Sequence, residues 1–467
     1  MTNRTSISIH GHFYQPDRSD PKYKSIPREE SAGIFDNWNR RINHECYKPN
    51  ADLSNFEWMS FDTGPTLLSW LERFDPETYT KIIDQEQGTC LKYGVGNGMA
   101  QPYHHTILPL ADPIDRRIQV EWGIRDFEHR FGHRPAGMWL PECAVNEATL
   151  EELAAQGIEF TILAPWQCSD MDVDPEKAYL VNLPSGRQIT IFFYDSGLSS
   201  KVSFDPIATE DAVRFLDEFG HCRNPNDHCI RIVASDGELY GHHRPFREKF
   251  LSHLISAANE TEGLEVIYPG KWLQEHKAQE FATVLENTSW SCHHGIKRWS
   301  AGCECTPNSE WKFHFRKAAD SMAHKIDEVY VDCLDKLQLP SWELLTNYVD
   351  VVMGVRRLEE IHAGIKDLRG VDKLRLEQLL EAQWNKHRMF SSCAWFFEDF
   401  ARIEPRNSVM CLAYSIWLLR NASGIDLSIE ATQQLDSVVS SRSSLTGSQV
   451  FTEYFKTLDA FISTGWG

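Results

Sequence analysis

The sequence predicts an α/β fold with a parallel sheet, followed by a C-terminal α-helical region. Over about the first 270 residues, short β-type runs alternate with helical stretches, as in parallel α/β domains. From about residue 310 onward, long amphipathic segments carry few strand signals. The chain has 467 residues, of which 42% are hydrophobic and 24% charged, which is typical of a globular protein with a large core.

The first elements follow from local patterns. The run SISIHGHF, which starts at Ser6, predicts the opening strand. Helices are predicted over 64–74 and 76–87, and TCLKYGV (89–95) predicts a second strand. The amphipathic stretch 112–131 predicts a long helix.

The middle of the chain predicts further βα units. GMWLPECA (137–144) predicts a strand, and the following NEATLEELAAQG predicts a helix that Asn146 caps and Gly157 ends. IEFTILAPW predicts the next strand. KAYLVNLP and QITIFFYD flank a Ser-Gly pair and predict a β-hairpin.

The pattern then changes from α/β to helical. We expect helices over 207–219 and 247–260, and strands at HCIRIVASD and LEVIYPG. Five later amphipathic segments predict helices, near 311–336, 341–365, 371–389, 405–421 and 449–462.

Composition limits the classes of partner and compartment. With 47 basic and 67 acidic residues the net charge is −20, which disfavours nucleic acid. Fifteen tryptophans offer flat faces of the kind that stack on sugar rings. The opening MTNRTSISIH has no apolar core of a signal peptide, and no apolar run reaches the ~20 residues that span a bilayer. We therefore expect a cytoplasmic protein, with no membrane partner, whose twelve cysteines stay reduced.

Polar, ionisable groups stand where the predicted strands end. His10 and His12 alternate on one strand and therefore point to the same side. Glu142 follows the strand in WLPECA, and Asp236 follows the strand in ASDGELYGHH. Two chemical interpretations fit. His10, His12 and Asp236, with His242 or His243, could ligate a divalent metal in a hydrolase or deacetylase. Alternatively, Glu142 and Asp236 could be a carboxylate pair that flanks a glycosidic bond.

Five segments together carry a family resemblance. HGHFYQP, YHHTILPL, WLPECA, ASDGELYGHH and CAWFFEDF resemble, in this order, the sequence regions of glycoside hydrolase family 57. That family contains α-amylases, 4-α-glucanotransferases and α-glucan branching enzymes. One departure is that Phe13 and Tyr14 stand between His12 and Gln15, which predicts a different pocket floor.

The resemblance implies an architecture and a mechanism. It implies an incomplete (β/α)7 barrel as the catalytic domain (1–280), a junction loop over the cleft (281–310) and an α-helical domain that completes the active site (311–467). It also implies a retaining double displacement on α-glucans, with Glu142 as nucleophile and Asp236 as acid/base, and with no cofactor and no metal. The residues expected to bind substrate are His10, His12, Gln15, His105, Trp139, Glu238, His242, Trp290, Trp299 and Trp395.

Two further alternatives remain at this stage. The same scaffold could be a carbohydrate-binding protein without catalysis. In the junction, Cys292, Cys303 and Cys305, with His293 or His294, reach the ligand count of a zinc site, but their spacing matches no standard zinc module. The sequence predicts neither the oligomeric state nor the balance between hydrolysis and transfer.

Overall fold

A computed structural model of the chain describes residues 5–220, 222 and 228–463. Positions 1–4, 221, 223–227 and 464–467 lie outside the described residues, and with them the start of the MTNRTSISIH segment and parts of the predicted ranges 1–280 and 311–467.

The described residues form strands and helices in an alternating order, with helices alone toward the C-terminus. The strands are β1 (Thr5–Phe13), β2 (Ser60–Thr63), β3 (Gly98–Met99), β4 (Phe160–Leu163), β5 (Ala178–Asn182), β6 (Gln188–Phe193), β7 (Ile230–Asp236), β8 (Leu264–Val266) and β9 (Glu280–Phe281). The helices of the alternating part are α1 (Trp38–Ile42), α2 (Lys48–Asp52), α3 (Pro65–Phe74), α4 (Pro76–Tyr93), α5 (Pro113–Phe131), α6 (Glu147–Ala155), α7 (Ser196–Phe204), α8 (Ala212–Asp217), α9 (Arg247–Glu260) and α10 (Pro269–Glu275). The later helices are α11 (Lys297–Ser300), α12 (Trp311–Lys336), α13 (Ser341–Val352), α14 (Gly370–Met389), α15 (Cys393–Phe396), α16 (Ile403–Ser423), α17 (Ser428–Leu435) and α18 (Gly447–Ser463).

The chain divides into two compact units that are interleaved in sequence. The first runs to Gln15 and then covers Arg28–Tyr103 and Asp126–His293. The second covers Pro16–Pro27, His104–Arg125 and the chain from His294 onward.

The first unit is built on mostly parallel strands. One sheet has the order β3-β2-β1-β7, all parallel, and β8 pairs with the start of β1. The other has the order β4-β6-β5-β9, in which β5 and β6 form the antiparallel hairpin that the sequence predicts. Every residue of β1 is buried, as expected for a parallel strand that is covered on both faces.

The predicted strand GMWLPECA is much shorter than expected. Gly137 and Met138 form isolated parallel bridges to Phe160 and Ala100, which places this segment between β3 and β4. A tight 3-10 turn, Pro141–Cys143, follows at once. The helix predicted after it is confirmed: α6 begins after Asn146, whose side chain accepts a hydrogen bond from the Thr149 N–H.

The prediction of a strand at TCLKYGV is wrong. Its first five residues are the end of α4, whose buried residues recur at helical spacing at Ile82, Ile83, Glu86 and Thr89. The helix ends only at Gly94, which takes the left-handed conformation (φ 78°) that closes many helices. The predicted helix 207–219 is also shorter and is confined to α8.

The second unit is helical, in agreement with the pattern after residue 310. Its core includes the buried Lys386 of α14, whose ammonium group donates to Asp115 Oδ1 at 2.7 Å and to Asp327 Oδ1 at 2.8 Å. The Trp122 indole N–H donates to the Thr346 carbonyl at 3.0 Å. Within the described residues, no helix combines the length and the apolar character needed to cross a bilayer.

One pair of cysteines departs from the expectation that all stay reduced. Cys222 and Cys229, whose Cα atoms lie 6.0 Å apart, form a disulfide bond in the first unit.

Candidate active site

A buried aspartate joins the two histidines of β1. The parallel register of β1 and β2 sets His10 beside Ser60 and His12 beside Asp62. Asp62 Oδ1 lies 3.0 Å from His10 Nε2, and Asp62 Oδ2 lies 2.8 Å from His12 Nδ1. The Gln101 amide also donates to Asp62 Oδ2. The carboxylate therefore fixes the orientation of both imidazole rings.

The two histidines differ in charge. Burial lowers the pKa of His10, which therefore stays neutral, and its Nδ1 lies 2.9 Å from the Ser60 hydroxyl. Burial also opposes a charge on His12, but Asp62, together with Asp236 and Glu238, raises the pKa of His12 to about 9. Asp62 is likewise buried, yet the His12 charge and the hydrogen bonds from both histidines lower the pKa of Asp62. His12 and Asp62 thus form a buried ion pair at neutral pH.

Glu142 stands in a strained turn at the end of the 137–138 segment. Its φ of 59° and that of Cys143, 48°, lie in the left-handed region that residues other than glycine rarely adopt. Such strain concentrates at functional sites, where the surrounding structure holds it in place. The Ser291 hydroxyl donates to Glu142 Oε2 at 2.7 Å, and the Trp290 indole N–H donates to the same oxygen at 3.2 Å.

Aromatic rings connect Glu142's neighbourhood to the histidines. The ring of Trp139 stacks on His10 at 4.6 Å and on His12 at 5.3 Å between centroids. Trp290 packs edge-on against Trp139 at 5.1 Å and lies 6.2 Å from the His12 ring. Trp139 is buried, whereas Trp290 is only partly covered.

Asp236 ends β7 beside His12, since the register pairs His12 with Asp236. Its side chain is exposed, unlike those of its neighbours. Gly237 has no room for a side chain, because a Cβ there would lie 2.4 Å from the Phe13 ring. The next residue, Glu238, is buried and its Oε1 accepts a hydrogen bond from the Tyr47 hydroxyl at 2.7 Å.

The carboxyl groups in this region interact electrostatically. Burial and the negative charge of Asp236 raise the pKa of Glu142, while Ser291, His12 and Trp290 oppose the rise. Burial, again with a contribution from Asp236, raises the pKa of Glu238 to about 7. Glu142 and Glu238 therefore both lie within reach of the Asp236 charge.

Gln15 and His242 occupy the margin of this group. Gln15 is buried, and its side chain forms a hydrogen bond with Tyr47. His242 Nδ1 lies 2.5 Å from Glu45 Oε2, and its ring packs edge-on against Trp38 at 5.8 Å.

Three of the residues predicted to bind substrate belong to the second unit. His105 is buried there and its Nδ1 lies 2.6 Å from the Ser392 hydroxyl. Trp395 is 1% exposed and stacks on Phe315 at 4.8 Å. Trp299 is 0% exposed. Protein atoms cover both indole rings, which favours a packing role for them over contact with a sugar.

The hydrogen bonds do not favour metal binding by His10, His12 and Asp236. A histidine needs a lone pair on a ring nitrogen to ligate a metal. Both ring nitrogens of His10 are engaged by Ser60 and Asp62, and His12 Nδ1 is engaged by Asp62. In the described part of the chain, these three residues do not bring their ligand atoms together as a metal-binding group.

Sequence reasoning missed several residues of the site, namely Asp62, Ser60, Tyr47, Gln101 and Ser291. For Asp62 a signal exists: SFDTG is a short β-type run with an acidic residue at its end, directly before the predicted helix at 64–74. Tyr47 and Gln101 carry no such local signal, since strand ends and turns far apart in sequence bring them to the site.

Two family models match the chain, one over the α/β part and one over the helical part that follows it. A family model described as "Glycosyl hydrolase family 57" matches residues 9–285, more than half of the chain. A model described as "Domain of unknown function (DUF3536)" matches residues 308–461.

Individual relatives are distant. The chain is 25% identical to alpha-amylase 1 of Dictyoglomus thermophilum over 46% of this chain and 31% of the relative. It is 20% identical to a 4-alpha-glucanotransferase of Thermococcus litoralis over 53% of this chain and 38% of the relative. The matches thus span about a third of the length of these curated relatives.

A solved structure shares the fold over nearly the whole chain. It is an exo-type maltose-forming amylase from Pyrococcus sp. ST04, with a TM-score of 0.75 and 15% identity, and the match covers 92% of this chain and 82% of that one. The α/β part with its parallel sheet and the helical part after it recur together. On the family match, which covers the segments that carry His10, Asp62, Glu142 and Asp236, the chain belongs to glycosyl hydrolase family 57.

Proposed function

We propose that this protein is a retaining glycosidase or transglycosidase that acts on α-glucans. The observation that carries the proposal is the pair of carboxylates, Glu142 and Asp236. They follow parallel β segments of the first unit, and burial, with a further contribution from the charge of Asp236, raises the pKa of Glu142. A retaining mechanism requires two such groups in one pocket, one ionised and one protonated.

Glu142 is the nucleophile in this proposal. Its Oε2 accepts both hydrogen bonds, from Ser291 and Trp290, and we assign the attack on the anomeric carbon to Oε1. Burial and the charge of Asp236 raise the pKa of Glu142, and these two donors with the charged His12 partly offset that rise in favour of the ionised form. The mechanism requires a protonated Asp236 and an ionised Glu142. Protonation of Asp236 removes the negative charge that opposes the ionisation of Glu142.

Asp236 is the acid/base. In the first step its proton passes to the glycosidic oxygen, the bond to the leaving sugar breaks, and an ester forms between the sugar and Glu142. In the second step Asp236 accepts a proton from water or from an acceptor hydroxyl, whose oxygen bonds to the anomeric carbon as Glu142 leaves. The exposed position of Asp236 suits this exchange of partners.

The substrate class rests on the relatives. The two curated relatives are named as an alpha-amylase and a 4-alpha-glucanotransferase. Whether water or an acceptor sugar takes the glycosyl group depends on access to the ester, and the carboxylate pair serves both reactions. Around the pair, we propose that His12, Glu238, Gln15, His242 and Trp290 bind sugar hydroxyls or rings, with Trp139 behind the histidines.

We also propose that the parallel segments of the first unit form an incomplete (β/α)7 barrel. Seven parallel segments support it. Each one pairs with, or forms a β-bridge to, the next in the order β7, β1, β2, β3, the 137–138 segment, β4 and β6. The Asp195 N–H just after β6 donates to the Ile232 carbonyl of β7 at 2.8 Å, which fits closure at that point.

The test has two arms. Proton NMR of the first products from maltoheptaose should show the α-anomer, and release of the β-anomer would exclude a double displacement. With an activated aryl α-glucoside, which leaves without protonation, Asp236→Asn should accumulate a covalent sugar adduct that peptide mapping locates on Glu142. Glu142→Gln should form none and lose at least ~10³-fold in activity.

Matched variants control for indirect effects. Glu147→Gln changes an exposed glutamate five positions away, and Asp172→Asn changes an exposed aspartate, so both should keep wild-type rates. An adduct on Asp236 in the Glu142 variant would reverse the two roles. Binding of maltooligosaccharides without any turnover would instead identify a carbohydrate-binding protein.

A further inference from the structure

We propose that the start of the C-terminal part of the chain holds a structural zinc ion. The ligands are His294, Cys303 and Cys305 of the second unit, with Cys292 as the fourth. None of these four residues belongs to the proposed catalytic group, and the zinc proposal does not depend on the proposed activity.

The ligand atoms stand at distances that suit one ion. A ring nitrogen of His294 and the Sγ atoms of Cys303 and Cys305 lie within 4.8 Å of one another. Cys305 Sγ is 3.4 Å from His294 Nδ1. With Zn–S bonds of ~2.3 Å and Zn–N bonds of ~2.0–2.1 Å, the S and N ligand atoms of a tetrahedral zinc are about 3.5–3.8 Å apart. Small side-chain rotations are enough to close the site.

The backbone explains how a Cys-x-Cys spacing can serve one ion. The Thr306 N–H donates to the Cys303 carbonyl at 2.9 Å, which closes a turn over the two cysteines. Gly302 enters this turn with φ 79°, and a Cβ there would lie 2.7 Å from Ser309 Oγ. The curled chain brings together two thiols that an extended chain would hold farther apart.

The fourth ligand follows from chain length. Cys292 stands two residues before His294, so their Cα atoms cannot be more than about 7 Å apart. Its buried thiol completes a Cys3His set, a combination found in closed, structural zinc sites. Thiolate and imidazole ligands favour zinc over the hard cations magnesium and calcium.

Two further features suit a metal site. His294 Nε2, the nitrogen that would face away from the ion, lies 3.7 Å from Glu304 Oε2, and a carboxylate commonly orients a zinc-bound histidine in this way. Cys305 is exposed, which provides an entry path for the ion.

Metal analysis of the full-length protein tests the site. Protein purified under reducing conditions without chelator should contain one zinc per chain. Cys303→Ser and Cys305→Ser should each lower the zinc content at least tenfold. The control is Cys333→Ser, a partly buried cysteine of α12 in the same unit, which should keep the full content.

A second measurement does not depend on how the variants fold. Cobalt added to metal-depleted wild-type protein should give the thiolate-to-cobalt absorption of a tetrahedral site at one equivalent. A wild-type protein that binds neither zinc nor cobalt in its reduced state would overturn the proposal, as would full zinc in Cys305→Ser. Cys292→Ser should bind the metal at least tenfold more weakly than wild type; equal binding would remove Cys292 from the ligand set.

Discussion

Asp62 supports two histidines with one carboxylate, and its loss should change the charge of the site. Asp62 is the main source of the raised pKa of His12, about 9 against an ordinary value of 6.5. Because the pKa is raised in the folded protein, this ion pair stabilises fully below pH 6.5, and the contribution disappears as the pH rises through 9. Its size is on the order of 3 kcal/mol.

The variant Asp62→Asn should therefore lose this pH dependence. Urea unfolding of the wild type should show a fall in the free energy of unfolding between pH 6.5 and 9, and the variant should show a smaller fall from a lower starting value. Asp172→Asn, an exposed change, should follow the wild type. An unchanged fall in the Asp62 variant would mean that another group holds the proton on His12.

The residues of the site show what sequence can and cannot provide. His10, His12, Glu142 and Asp236 stand at strand ends within family-like segments, so sequence alone singles them out. The role of Asp62 can be recognised only from the β1–β2 register, which sets it beside His12. Register depends on contacts between strands fifty residues apart in the chain, and no local pattern encodes it.

At the scale of elements, the turn after β7 depends on a glycine. A methyl group at Gly237 would meet the Phe13 ring at 2.4 Å, and Phe13 is fully buried. Gly237→Ala should therefore lower the free energy of unfolding by about 1–3 kcal/mol. It should also displace Asp236 and Glu238 and reduce activity.

A second glycine gives the matched comparison. Gly88 lies within α4, where a Cβ would meet nothing within 4 Å. Gly88→Ala should raise the free energy of unfolding by about 0.5–1 kcal/mol, since alanine is the better helix former. Urea unfolding of both variants checks the pair; a tolerated Gly237→Ala would show that the Phe13 ring can move away.

Elements with strong periodicity were the easiest to predict. The predicted ranges 247–260 and 311–336 coincide with α9 and α12, because apolar residues recur at helical spacing along both. The strand prediction at TCLKYGV failed because seven residues with few charges resemble a strand when they are read apart from the helix that precedes them. Short strands such as β2 and β3 have too few residues to show an alternating pattern in the sequence.

At the scale of the whole molecule, one buried lysine joins distant parts of the second unit. Lys386 is fully buried and pairs with Asp115 and Asp327, from three separate stretches of the chain. Burial opposes its charge, yet the two carboxylates keep the pKa of Lys386 raised. Lys386→Met would leave two partly buried carboxylates without their counter-charge and should cost about 3–5 kcal/mol.

The control for this change is a lysine in a similar pair at the surface. Lys325 lies 2.6 Å from Glu430, and both side chains are more than a third exposed. Lys325→Met should change the free energy of unfolding by at most ~1 kcal/mol. Equal effects of the two variants on the urea midpoint would contradict the role assigned to Lys386.

The predicted ranges 1–280, 281–310 and 311–467 follow the chain in order, whereas the compact units do not. Pro16–Pro27 and His104–Arg125 group with the helices after His294. Residues 16–27 are rich in Pro and charged residues and so resemble an ordinary loop, and neither segment carries a local pattern for packing with residues hundreds of positions later.

This interleaving affects the protein while it is being synthesised. All segments of the first unit have been made once the ribosome has passed His293, but His104–Arg125 must wait for partners such as Lys386. At about 5–20 residues per second, Lys386 follows on the order of 5–20 s later. Ile118 and Val120 of this segment are fully buried in the folded protein, and we expect them to be exposed on the nascent chain until the segment packs. They are thus a natural contact for a chaperone that acts on unfinished chains.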